Sequence, residues 1–308
     1  MFDINKIKGS FATIITPFTK ENNGVDQEEL KKEIEFLCNT DITGLFPLAS
    51  TSEYPFMSYE TKKQYLKAVA EANRGRKAML AGCCGVNYTE SMQLLALAKE
   101  FGYDAAVICP PYYFQQSPDE EYRYYTKLAE NPYGVKIIMY NIPCFTSEIP
   151  VETVAELMKN PNIVGIKDSS GNMRRIRNMA DLKGERKDFV IYCGNDDIIL
   201  PALVAGAEGS LTGMGCLLPE VISTIFKSYW SGDMEMAQKA QACFLSLCRV
   251  ADKIPFPAGY KVMAEIRGMN AGYIHQFCDP EKAACVRAEE KPLLDKILKE
   301  YNCADAIM

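Results

Sequence analysis

The chain holds one histidine, His275, and one tryptophan in 308 residues. A single imidazole cannot build a histidine-rich metal site, so zinc chemistry of that kind is disfavoured and a metal-free mechanism is expected. No uninterrupted apolar run approaches the length of a membrane span. The opening Met1-Phe2-Asp3-Ile4-Asn5-Lys6 has no apolar stretch long enough for a signal peptide. A cytoplasmic location is therefore expected, and the twelve cysteines read as reduced thiols rather than a disulfide framework. No C-x-x-C pair occurs among them; Cys83 and Cys84 are adjacent, Cys109, Cys144 and Cys193 fall at expected strand ends, and Cys243 and Cys248 sit on a helical stretch. The net charge of -6 is small. It argues against nucleic acid or an anionic membrane as partner, but a small anionic substrate feels only the local field of its pocket. No Gly/Ser-rich linker or low-complexity segment interrupts the chain, and its 48% apolar content is ample for a core.

What is present is alternation. Short apolar runs are followed by longer amphipathic ones about eight times, the pattern of parallel strands joined by helices. Strands are expected at 10–18, 44–49, 78–83, 105–110, 136–142, 163–167, 189–194 and 209–213. Helices are expected at 26–39, opened by Asp26, and at 58–73, 89–101, 151–158 and 219–230. Eight such units favour a (β/α)8 barrel over an open doubly wound sheet, and no G-x-G-x-x-G follows the first strand. The expected organisation is a barrel over 1–232 and a helical region over 233–308 packed on it, with helices at 234–251, 258–267 and 280–301, the last interrupted at Pro292.

In such barrels the active site lies at the carboxyl ends of the strands. Lys167 stands out there. It closes the apolar run Asn162-Ile163-Val164-Gly165-Ile166, where desolvation disfavours an ammonium ion and lowers its pKa. A neutral amine condenses with ketones. The other strand ends offer Ala49-Ser50-Thr51-Ser52-Glu53, Pro110-Pro111-Tyr112-Tyr113, Tyr140-Asn141-Ile142-Pro143, Gly194-Asn195-Asp196-Asp197 and Thr212-Gly213-Met214-Gly215. Lys167 can form an imine, Ser50 and Thr51 can hold a carboxylate, and Tyr140 and Tyr113 can move protons. Together they suit a 2-oxo acid such as pyruvate. Each has a plainer reading in isolation. Lys167 could pair with Asp168, Ser50 and Thr51 could cap a turn, and Tyr112, Tyr113 and Phe114 could be interface or core aromatics. Tyr140 could be a bonded core tyrosine, at least one of Asp196 and Asp197 could cap a helix, and Gly213 and Gly215 could be turn glycines. A phosphate or anion site at Gly213 or at Ser169-Ser170-Gly171 is the weaker alternative.

Those residues, in that order, resemble the dihydrodipicolinate synthase / N-acetylneuraminate lyase family over nearly the whole chain. The family carries G-[ST]-T-G-E, P-Y-Y, Y-N-[IV]-P and G-[IV]-K. This chain has Ala49-Ser50-Thr51-Ser52-Glu53, Pro111-Tyr112-Tyr113, Tyr140-Asn141-Ile142-Pro143 and Gly165-Ile166-Lys167. The resemblance implies that Lys167 is the Schiff-base residue, Tyr140 the central acid/base, and Ser50 a relay to Tyr113, which a neighbouring subunit lends. It implies a carboxylate clamp at Ser50 and Thr51, a homotetramer built as a dimer of dimers, and no added cofactor or metal. Three departures matter. Ala49 and Ser52 replace both glycines, which strains the backbone if positive φ is needed there. Phe145 stands where synthases usually carry an arginine for a distal carboxylate, and a phenyl ring cannot pair with one. Asp196-Asp197 and the Asp168-Ser169-Ser170-Gly171 segment resemble the lyases that act on sugar acids, placing Ser169, Asp196, Asp197 and Gly213 at the substrate.

The reading that follows is a class I, Schiff-base aldolase or lyase that reversibly cleaves a 2-keto-3-deoxy sugar acid to pyruvate and an aldehyde. The rivals are a 4-hydroxy-tetrahydrodipicolinate synthase joining pyruvate to aspartate semialdehyde, with Arg174 or Arg175 supplying the missing cation, a dehydratase working through the same imine, and a non-catalytic barrel that binds a 2-oxo acid as a sensor.

Overall fold

The structure is a computed structural model and describes residues 2–19, 24–184, 186–274 and 278–304. His275 lies outside the described residues. Eight strands in sequence order form a closed barrel: β1 (Gly9–Thr13), β2 (Gly44–Phe46), β3 (Ala78–Gly82), β4 (Ala105–Ile108), β5 (Lys136–Asn141), β6 (Ile163–Asp168), β7 (Val190–Cys193) and β8 (Gly209–Thr212). The helices are α1 (Gln27–Cys38), α2 (Tyr59–Asn73), α3 (Tyr88–Glu100), α4 (Pro118–Ala129), α5 (Val151–Leu157), α6 (Met173–Lys183), α7 (Ile199–Ala205), α8 (Met214–Leu217), α9 (Pro219–Ser231), α10 (Met234–Ala251), α11 (Ala258–Ile266) and α12 (Pro280–Glu300). The expected β/α alternation is therefore the observed architecture.

The chain divides into two compact units, one of residues 1–9 and 78–211 and the other of residues 10–77 and 212–308. In the first unit β3 to β8 pair in parallel, each with the next. Parallel strands covered on both faces read as continuous apolar runs, and every residue of β3, β4, β6 and β7 is buried. The connecting helices start on side-chain caps. Asn87 accepts from Glu90 N, Ser117 and Glu120 form a reciprocal capping box ahead of Pro118, and Asn172 accepts from the N–H groups of Arg174 and Arg175.

In the second unit β1 pairs with β2. The expected strand reaching Phe18 stops at Thr13, although the ladder first continues by one bond from Ile14 N to Phe46 O. Beyond it side chains replace strand partners: Ile15 N donates to Glu33 Oε1 and Ser52 Oγ donates to Ile14 O. Pro17 has no N–H to give. Asp26 caps α1 and Ser58 caps α2 as expected. Val250, Ile254, Ala258, Val262 and Val286 form a core among the C-terminal helices. The expected break at Pro292 does not occur, and α12 runs through it. The missing N–H leaves one carbonyl without its helical donor. Buried Val286, Leu294 and Ile297 hold the helix on either side of that position.

Candidate active site

Strand β6 supplies two kinds of residue because successive side chains point to opposite faces. On one face lies Lys167, paired in register with Tyr140 of β5 and Tyr192 of β7. Lys167 is only 4% exposed. Its Nζ sits 4.1 Å from the centroid of the Tyr140 ring. Burial lowers its pKa from the ordinary 10.5 to about 8, against the pull of Cys84, Asp196, Cys193 and Cys109, which favour the charged form. At pH 7 about a tenth of such an amine is free, far more than of an ordinary lysine, and the free amine is the form that attacks a carbonyl.

On the other face lies Asp168, which is buried. Its Oδ2 accepts from Asn141 Nδ2 at 2.9 Å and Arg175 Nε at 3.1 Å, and its Oδ1 accepts from Ser170 N and Ser170 Oγ. Arg175 also donates to Ile149 O at 2.7 Å and pairs with Glu148. Asn141 Oδ1 accepts from Ile149 N. This network ties β5, β6, α6 and the segment before α5 together directly behind Lys167. Sequence reasoning offered Arg175 as a partner for a substrate carboxylate; the structure commits it to Asp168 and Glu148. Arg174 is exposed. Nearby on α4, Glu121 is buried with both carboxyl oxygens unpartnered. Burial pushes it up to about 7, with Arg175 opposing and Glu148 adding to the rise.

The third member of the β6 end, Ser169, returns to the Lys167 face. Its Oγ is buried and has no partner. A Cβ placed on Gly194, after β7, would lie 1.9 Å from Ser169 Oγ and 2.9 Å from Lys167 Cε. Gly194 is thus glycine because lysine and serine occupy the space of its side chain, a role that spacing alone could not show. Asn195, next in the chain, carries a buried, unpartnered Oδ1. Asp196 is buried and near enough to act on the Lys167 charge. The expectation that Asp196 or Asp197 caps a helix is not met. Both lie inside a 3-10 turn, Asp196–Ile198, and α7 then begins at Ile199, with Ile198 in the N-cap position and no side-chain cap.

Two aromatic residues stand at the rim of this unit. Tyr113 has φ +87° and is 88% exposed, edge-on to Phe114 at 5.0 Å. A left-handed tyrosine is uncommon, and such strain persists only where the surroundings impose it. Phe145 is 55% exposed in the turn closed by Phe145 N and Thr146 N on Ile142 O. The neighbouring Cys144 is also an exposed residue, and partial burial of its sulfur raises the thiol above its ordinary value, with the Lys167 charge opposing. The anion-nest reading of Ser169-Ser170-Gly171 weakens, because Ser170 N–H already serves Asp168.

The remaining expected residues belong to the second unit. Ser50, Thr51 and Ser52 form a 3-10 turn after β2. Ala49 has φ -77°, and the positive-φ residues flanking the turn are Leu48 and Glu53, so neither replaced glycine sits in a left-handed conformation. Ser52 uses its new hydroxyl: Ala49 N donates to Ser52 Oγ, and Ser52 Oγ donates to Ile14 O. Thr13 Oγ1 donates to Thr51 Oγ1 at 3.1 Å. Glu53 is fixed by a fully buried ion pair with Lys261 at 2.6 Å. Glu33 lies in the same buried polar network, and burial pushes it up to about 8 while Cys216 donates to it at 2.9 Å. Gly213 has ordinary helical φ, and a Cβ there would meet the Tyr260 ring at 2.6 Å. Ring packing explains that glycine without a phosphate. Among the described residues no group of three or more His, Cys, Asp or Glu side chains is arranged to hold a metal, and no helix is long and apolar enough to cross a membrane.

Comparisons with known proteins agree with one another. The model of the dihydrodipicolinate synthetase family matches residues 6–301. The chain is 31% identical over 272 residues to a 4-hydroxy-tetrahydrodipicolinate synthase of Methanothermobacter thermautotrophicus, covering 85% of this chain and 95% of that one. It superposes on the 4-hydroxy-tetrahydrodipicolinate synthase of Methylacidiphilum fumariolicum SolV with a TM-score of 0.87 at 26% identity, over 96% of this chain and 98% of that one. A Ruminococcus gnavus sialic acid aldolase, solved as a catalytic lysine mutant, shares the fold with a TM-score of 0.89 at 22% identity, over 98% of this chain and 100% of that one.

Proposed function

The chain belongs to the dihydrodipicolinate synthetase family, and from that premise we propose that it is a Schiff-base aldolase or lyase. It reversibly cleaves a 2-keto-3-deoxy sugar acid to pyruvate and an aldehyde. The observation that carries the proposal is Lys167, a buried amine over the Tyr140 ring whose pKa burial lowers to about 8. Lys167 attacks the C2 ketone and water leaves. The protonated imine then accepts the electron pair of the C3–C4 bond as Tyr140 takes the C4 hydroxyl proton, and the aldehyde departs. Reprotonation of the enamine and hydrolysis release pyruvate, and synthesis runs the steps in reverse.

The resemblance assigns the carboxylate clamp to Ser50 and Thr51, and the relay to Ser50 and Tyr113. The exposure and left-handed backbone of Tyr113 support a tyrosine held out for a neighbouring subunit in a homotetramer. Ser169 supports a polyhydroxylated partner, because its buried, unpartnered hydroxyl beside Lys167 needs a polar group to bond. The test is reduction with borohydride in the presence of pyruvate. The expected result is a mass adduct on Lys167, and an unmodified lysine overturns the mechanism.

A second reading is favoured by the relatives named 4-hydroxy-tetrahydrodipicolinate synthase. It needs a cation for the distal carboxylate of aspartate semialdehyde. Phe145 provides none, and Arg175 is engaged with Asp168 and Glu148. Turnover of a panel of 2-keto-3-deoxy acids against aspartate semialdehyde separates the two readings. The sensor reading drew on strain at the replaced glycines, and the ordinary φ of Ala49 removes that support.

A further inference from the structure

We propose that Cys84 and Cys109 form a redox modification site, in which peroxide joins the two thiols as a cross-strand disulfide beside Lys167. The pair follows from the register of β3 on β4. Gly82 pairs with Val107, and Cys83 N continues the ladder to Val107 O. Two steps beyond Gly82 and Val107, Cys84 stands opposite Cys109. Neighbouring strands lie about 4.8 Å apart, inside the Cα range of about 4.4–6.8 Å that a disulfide spans. The Cys84 side chain already turns toward its neighbour, since Cys109 N–H donates to Cys84 Sγ at 3.2 Å.

The same register places Cys109 beside Tyr140, because Ile108 pairs with Met139, and Tyr140 pairs with Lys167. The thiols therefore share a layer with the amine. Both act on the Lys167 charge, Cys84 more strongly than any other ionisable group. A nearby ammonium favours thiolate, the form that oxidants attack. Both sulfurs are buried, so the oxidant must be close to water in size, as hydrogen peroxide is. In the first step Cys84 thiolate attacks one peroxide oxygen, the O–O bond breaks, and sulfenic acid and hydroxide result. Cys109 thiolate then attacks that sulfur and expels a second hydroxide. The two sulfurs are oxidised, peroxide is reduced, and two protons convert the hydroxides to water. Cys83 does not compete, because its side chain points to the opposite face and burial holds its thiol well above the ordinary range.

The bridge removes two of the four acidic neighbours of Lys167, leaving Asp196 and Cys193, and redraws the wall next to Tyr140. Its effect on imine formation rests on the proposed role of Lys167; the bridge itself does not. The experiment treats the whole protein with hydrogen peroxide and maps disulfides by peptide mass without reductant. Pyruvate trapping by borohydride is measured on the same samples. The expected result is a linked peptide pair carrying Cys84 and Cys109, a fall in trapping rate of about tenfold or more, and recovery of both with dithiothreitol. Cys84→Ser and Cys109→Ser each keep their trapping rate under peroxide. The proposal is overturned if both thiols still alkylate as free after peroxide, if the bridge joins other cysteines, or if the bridge forms and trapping is unchanged. A protein that shows no adduct before peroxide refutes the Schiff-base role alone, since the disulfide map stands without it.

Discussion

Replacing Lys167 by methionine should make the protein more stable at neutral pH, and the gain should fade as the solution becomes alkaline. In the unfolded chain this amine titrates at its ordinary 10.5, whereas burial lowers it to about 8 in the fold. Between those values the unfolded state binds the extra proton. Stability therefore rises with pH across the window from 8 to 10.5, and the native protein is held back below it. At pH 7 the charged amine costs about 3 kcal/mol relative to an unperturbed lysine. The nearly isosteric methionine removes that penalty.

The measurement is the difference in denaturation midpoint between wild type and Lys167→Met, by calorimetry or denaturant titration, from pH 6.5 to 10.5. The expected gap is several degrees in favour of methionine at pH 7, closing above pH 10. A methionine variant that is less stable at pH 7, or a gap independent of pH, refutes the claim that Lys167 is a desolvated amine. The same fall in pKa raises the free amine at pH 7 by roughly 300-fold over an ordinary lysine. Stability and reactivity thus change in opposite directions at one residue.

Three further outcomes follow from the surroundings. Gly194→Ala should slow borohydride trapping by tenfold or more, since its methyl needs the space of Ser169 Oγ and Lys167 Cε; an unchanged trapping rate would show that the lysine is free to move. Arg175→Ala should destabilise by about 3–5 kcal/mol, because it leaves Asp168 buried and unpaired. Adding Asp168→Asn should recover part of that loss, and denaturant midpoints of the single and double variants decide it. Glu33→Gln keeps an acceptor for Ile15 N and Cys216 while removing an acid that titrates near 8 in the fold against 4.5 when unfolded. The wild type binds more protons folded than unfolded across that window, so its stability falls as pH rises from 4.5 to 8, and the variant should lack that slope.

The strands were legible because a parallel strand is buried on both faces and its sequence shows it as an unbroken apolar run. The error at β1 has the same origin. Ile14 and Ile15 continue the apolar run, but Ile14 O and Ile15 N are partnered by the side chains of Ser52 and Glu33, which no local pattern displays. The start of α4 was legible in principle from Ser117, Pro118 and Glu120, a capping box written in three letters. The burial of Lys167 was legible because an amine at the end of an apolar strand contradicts its surroundings. Gly194 and Arg175 were not legible, since one is defined by what two other strand-end residues reach and the other by a carboxylate seven positions earlier.

These two kinds of residue are linked through β6. The strand must present an amine whose burial is unfavourable, and a side chain under such a cost escapes to water wherever the backbone can yield. Asp168 is the next residue, and its carboxylate is held on both oxygens by Asn141, Arg175 and Ser170. A buried ion pair contributes little net stability compared with an apolar replacement, so its worth here is positional. Bonds to Asp168 fix the backbone on either side of it, and that backbone carries Lys167 and Ser169 on the opposite face. An apolar residue in place of Asp168 could match the packing. It could not stop the end of β6 from shifting, and a lysine that shifts by an ångström regains water, its proton and its ordinary pKa.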